Sequence, residues 1–128
     1  MKNTVLIIVS VIVLSACGTT KVSVQSLNGD WKETWGYGVE TDIDYHDEYR
    51  ITVINNTIAI TCTNNDSYTY RDLQYNNGTF SFIMTNTSGN DDLPYWFTVT
   101  KDKSRMLGAA VSAHGDTVPI LWERIVKD

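Results

Sequence analysis

The sequence predicts an all-β protein: eight antiparallel strands in one up-and-down meander that closes into a small barrel. Three observations predict it. From Gly29 onward there is no convincing apolar period of 3.6 residues; instead short runs rich in Thr, Val, Ile, Tyr, Phe and Trp alternate between two faces. Clusters of Asn, Asp and Gly, which tolerate the positive φ of tight hairpins, separate the runs. A meander of eight strands leaves two unpaired edges unless it closes, and eight strands close around side chains or one small ligand.

The expected strands are Asp30–Tyr37, Tyr49–Asn55, Thr57–Thr63, Tyr68–Tyr75, Thr79–Thr85, Tyr95–Lys101, Met106–Ala113 and Thr117–Val126. Alternation assigns the inner face. Trp31, Glu33, Trp35 and Tyr37 share one side of the first strand, and Ile58, Ile60 and Cys62 one side of the third. Later strands contribute Phe80, Phe82 and Met84; Tyr95, Phe97 and Val99; Leu107, Ala109 and Val111; and Ile120, Trp122 and Arg124.

The first sixteen residues stand apart from this pattern. One basic residue, Lys2, precedes the apolar run Val5–Leu14, which is too short to span a bilayer and reads as the h-region of a signal peptide. Leu14-Ser15-Ala16-Cys17 resembles the lipobox of bacterial lipoproteins. That resemblance implies cleavage before Cys17 and acylation of it, with the lipid bilayer as partner. Two or more acyl chains suffice for stable anchoring. The expected organisation is therefore a signal peptide at 1–16, a lipidated Cys17 and tether over 17–27, and the barrel over 28–128. Gly18 stands where Asp marks inner-membrane retention in many Gram-negative lipoproteins, which favours the periplasmic face of the outer membrane, with a Gram-positive cell surface as the alternative.

Removing residues 1–16 takes away Lys2 and leaves nine basic against fifteen acidic side chains, a formal charge of −6. Such an acidic domain, with no basic patch, is not expected to bind nucleic acid. With Cys17 acylated, Cys62 is the sole remaining thiol, so no intramolecular disulfide is expected.

Leu27-Asn28-Gly29-Asp30-Trp31 resembles the Gly-x-Trp opening of the calycin families (lipocalins, fatty-acid-binding proteins and avidins). Met106-Leu107-Gly108-Ala109, the Gly115 turn and Leu121-Trp122-Glu123-Arg124 are similar to the closing strands of bacterial lipocalin-like lipoproteins. The resemblance spans Leu27 to Ile125. It implies a barrel-closing pair in which Arg124 packs over Trp31. The chain is shorter than a typical lipocalin and lacks an obvious C-terminal helix.

Six inward aromatics, Trp31, Trp35, Phe80, Phe82, Phe97 and Trp122, can fill a short barrel or wall a pocket at its mouth. The leading expectation is non-catalytic binding of a small, largely apolar ligand. Its candidate contacts are Trp35, Tyr37, Phe82 and Phe97, with Glu33 as polar handle. The alternative is a solid barrel that docks another envelope protein or a glycan through its rim. Glu33 needs a partner such as Arg124 or Arg71 if it faces inward, and a bulge that turns it to solvent is the competing reading.

Other constellations have plainer explanations. Asp42, Asp44, His46 and Glu48 lie in an acidic stretch from Glu40 to Glu48 that fits no calcium-loop spacing and reads as a solvated connection. Ser112, His114 and Asp116 carry the residue types of a hydrolase triad across a turn, with no sign of an oxyanion hole. No enzyme activity, metal or cofactor is expected.

Overall fold

The computed structural model describes residues 22–36 and 47–127. The eight strands are β1 (Gly29–Trp35), β2 (Glu48–Ile54), β3 (Thr57–Cys62), β4 (Tyr68–Asn76), β5 (Thr79–Asn86), β6 (Asp91–Val99), β7 (Arg105–Val111) and β8 (Thr117–Arg124). They form one antiparallel sheet in the order β3-β2-β1-β8-β7-β6-β5-β4. The pairing of β1 with β8 curls the meander into a nearly closed barrel, the architecture that alternation and turn chemistry predict. Its two terminal strands, β3 and β4, lie side by side without a ladder among the described residues.

The turn residues do what their chemistry allows. Asn55, Asn56, Asn77, Gly78 and Gly115 all take positive φ at hairpins. Asp72 also has positive φ, at 56°, where the β4–β5 register shifts between Arg71 and Gln74. This bulge resets the alternation of β4, so that Tyr68 and Tyr70 before it and Leu73 and Tyr75 after it all pack on the core.

Two strands depart from expectation. β7 buries Met106 and Ala110, whereas Leu107, expected inside, is 36% exposed. The inner face there is set by pairing: Met106 lies opposite the buried Trp122, and Gly108 opposite Ile120 and Phe97. Gly108 carries no side chain that would mark its face, which is why hydrophobicity alone misassigned this strand. β6 begins at Asp91 rather than Tyr95 and includes Pro94, which sits where β6 pairs only with β5. A missing N–H is harmless at such an unpaired side.

Both ends of the barrel are built from β1. At one end, Arg124 lies opposite Trp31 in the ladder and its guanidinium stands 4.2 Å from the indole centroid. The guanidinium also donates to the carbonyls of Ser26, Asn28 and Lys103. The Trp31 indole N–H donates to the carbonyl of Leu27 at 2.9 Å. Leu27, expected in the tether, is fully buried at the end of a 3-10 turn, Val24–Leu27, so the segment from Val22 belongs to the packed fold. The expected signal peptide over 1–16 and the expected lipidation site, Cys17, lie outside the described residues.

Gly108 offers a test of this packing. A Cβ built there would stand 1.8 Å from the carbonyl oxygen of Trp96, a backbone atom that cannot step aside. Gly108→Ala is expected to cost about 3 kcal/mol or more, read as a lowered urea midpoint. A variant as stable as the parent would refute the close β6–β7 approach.

Candidate functional site

The site is at the opposite end of the barrel, where β1 finishes and β2 begins. Trp35, Asp47, Tyr68, Met84, Asn86, Leu93 and Tyr95 line an open depression of about 310 Å³. That volume is at the lower end of ordinary small-molecule sites. Below it the barrel is filled. Tyr49 stacks on Trp122 with centroids 4.3 Å apart, and Phe82 stacks on Tyr95 at 4.9 Å. Phe80 and Phe97 complete this floor.

Glu33 is set into the floor. It is 1% exposed, so its side chain points inward and no bulge turns it to water. Two indoles donate to it. Trp122, directly opposite in β8, donates to Oε2 at 2.8 Å, and Trp35, two residues along β1, donates to Oε1 at 2.5 Å. Arg71 instead pairs with Asp92 at 2.9 Å, and Arg124 belongs to the other end. Desolvation pushes the Glu33 carboxyl up to about 7, with the nearby Asp47 adding to the rise, although the two indole donors oppose it.

Asp47 is the residue that sequence reasoning missed. It stands in the acidic stretch that reads as a solvated connection, yet it shares the inward parity of Tyr49, Ile51 and Val53 in β2, and that signal identifies it. The Glu33 N–H donates to the Asp47 carbonyl at 2.8 Å, which extends the β1–β2 ladder and fixes Asp47 beside Glu33. Asp47 is 7% exposed. Its Oδ2 accepts from Tyr68 at 3.3 Å and from Tyr49 at 3.5 Å, while Oδ1 is buried without a hydrogen-bond partner. Tyr49 also reaches Glu33 Oε1 at 3.5 Å, and its single proton can serve only one carboxyl at a time.

Burial raises the phenol pKa values of Tyr49, Tyr70 and Tyr95, so all three remain protonated donors at neutral pH. The hydroxyls of Tyr70 and Tyr95 are buried without hydrogen-bond partners. Half-buried Cys62 lies nearby, and burial pushes its thiol up, away from the reactive thiolate.

Of the residues expected to meet a ligand, Trp35 lines the depression. Glu33, Phe82 and Phe97 lie beneath it in the packed interior, and Tyr37 falls outside the described residues. Among the described residues no group of three or more His, Cys, Asp or Glu is arranged to hold a metal. Asp42, Asp44 and His46 lie outside that set. Ser112 caps its own turn, accepting the Asp116 N–H at 3.2 Å, beside an exposed His114.

No protein-family model matches this chain, and no significant match to a curated protein or a solved structure exists. Among the described residues no helix is long and apolar enough to cross a membrane.

The raised Glu33 pKa has a signed consequence. The folded state keeps a proton that the unfolded chain, titrating near the ordinary value of 4.5, has already lost. The contribution of Glu33 is therefore complete below pH 4.5 and is lost as pH rises to about 7. Between pH 4 and 8 this amounts to about 3 kcal/mol. Urea unfolding of Glu33→Gln should show the variant gaining that much on the parent across the interval. A difference independent of pH would contradict the burial of an ionisable group.

Proposed function

We propose that this protein is a lipid-anchored, non-catalytic binder of a small, largely apolar ligand held in the mouth of its barrel. The observation that carries the reading is the open depression, where Trp35, Met84, Leu93 and Tyr95 present apolar surface beside buried polar atoms. An apolar cavity with a few convergent polar groups is the usual form of a small-molecule site. The filled floor limits the ligand to the mouth, so the contacts are Trp35, Leu93 and Tyr95 rather than Phe82 or Phe97. The lipobox at Leu14–Cys17 and the resemblance to lipocalin-like lipoproteins support an anchored role in the cell envelope, with the periplasmic face of the outer membrane favoured.

The outer wall supports a second reading, docking of another envelope protein. Trp96 is 41% exposed and lies diagonally across the ladder from exposed Leu107, an apolar pair on the solvent face of β6 and β7.

Native mass spectrometry separates the two. The full chain, produced in bacteria and released from detergent micelles in the gas phase, should carry a small-molecule adduct that is lost on denaturation. Leu93→Arg, which places a charged stem in the mouth, should abolish the adduct while leaving the fold intact by circular dichroism. An adduct retained by Leu93→Arg and lost by Trp96→Ser would overturn the mouth as the site, as would no adduct together with no uptake of the neutral probe 2-phenylethanol.

A further inference from the structure

We propose that the mouth selects an organic cation, a protonated or quaternary ammonium on a small aromatic or alkyl body, with Asp47 as its counter-charge. The inference rests on the ligand-binding reading above and names the chemistry of that site.

Asp47 provides the first argument. A carboxylate oxygen out of water and without a donor is costly, and native structures satisfy nearly all such atoms. Asp47 lines the open depression, and its buried Oδ1 has no hydrogen-bond partner, although Oδ2 of the same group has two tyrosine hydroxyls within reach. What Oδ1 lacks is therefore a donor within hydrogen-bond reach, and an ammonium supplies donor and compensating charge together.

The walls provide the second. Trp35 and Tyr95 pack edge to face at 6.0 Å, and with Tyr68 they surround Asp47 with aromatic surface. The negative faces of such rings attract cations, most strongly where water is excluded.

Charge provides the third. The titratable groups that face Asp47 from β1, β2, β4 and β6 are the carboxyl of Glu33 and the phenols of Tyr49, Tyr68, Tyr70 and Tyr95, joined by the Cys62 thiol of β3. Each is neutral or negative in every protonation state. Among the described residues no Lys, Arg or His lines the depression, so none of them would repel a cation. The whole chain carries a formal charge of −5, which favours approach of the same ligand class. A metal ion fits less well, because hard cations take six or more oxygen ligands and the described residues offer no such cage.

Three probes of nearly equal shape test the inference by calorimetry on the full chain in detergent solution against a protein-free blank: phenethylamine, 2-phenylethanol and 3-phenylpropionate. At pH 8 the amine should bind at least tenfold tighter than the alcohol, and the carboxylate weakest. Asp47→Asn should bring amine and alcohol within threefold of each other without weakening the alcohol. The amine, protonated throughout, should bind more tightly as pH rises from 5.5 to 8 and Glu33 ionises, while the alcohol stays level. Equal affinity for amine and alcohol would overturn the cation inference and leave the ligand-binding reading standing. Binding of none of the three would overturn both. If Asp47→Asn does not fold, the amine-to-alcohol ratio of the parent protein and its pH dependence decide the matter alone.

Discussion

A carboxyl group held out of water on the strand that closes the barrel governs how this interior is built. β1 is the strand whose two neighbours, β2 and β8, bring the first and last parts of the chain together. Glu33, near its middle, therefore faces inward where the sheet is most enclosed. Burial opposes ionisation there, and the raised pKa shows that two indole N–H donors reduce this penalty without cancelling it. The surrounding aromatics are chosen accordingly: Trp35, Trp122 and Tyr49 each combine a large apolar face with a polar hydrogen that can reach the carboxyl. An aliphatic core would fill the same space and leave Glu33 with no donor.

The two ends of β1 then follow opposite rules. At the Trp31 end, the donors of the Arg124 guanidinium meet three backbone carbonyls, and the cation rests on an indole face. Leu27 seals the remainder. At the Trp35 end, polar atoms remain unmatched: Asp47 Oδ1 and the hydroxyls of Tyr70 and Tyr95 are buried without partners. The satisfied and the unsatisfied end of the barrel are thus separated by the length of one seven-residue strand. Unmatched polar atoms destabilise a fold, and among the described residues those without partners gather toward the mouth, which is what the proposed site rests on.

Much of this was legible in the sequence, because an antiparallel strand writes its burial into every second residue. Trp31, Glu33 and Trp35 on one face, and Phe80, Phe82 and Met84 on another, follow directly from that period. The failures occur where the period has no side chain to display it or is locally reset. Gly108 hid the inner face of β7, and Pro94 concealed the first four residues of β6. The bulge at Asp72 reset β4. Asp47 was obscured by its acidic neighbours, although its spacing from Tyr49, Ile51 and Val53 carried the signal. The indole partners of Glu33 were beyond local reading, since Trp122 is brought opposite it only by barrel closure, 89 residues along the chain.

The aromatic floor also determines what kind of recognition the mouth can perform. A ligand that relied on apolar burial alone would need depth, since stabilisation scales with the area removed from water. The stacked pairs Tyr49–Trp122 and Phe82–Tyr95 occupy that depth. A shallow site must obtain its selectivity from directed polar contacts at its base, where partial exclusion of water strengthens them. Asp47, fixed by the β1–β2 ladder and backed by the Glu33 carboxyl, sits at the level where such a contact is made. The residues that prevent the barrel from being a deep cup thus leave Asp47 at the base of a shallow mouth, which is why the proposed recognition rests on charge rather than on buried area.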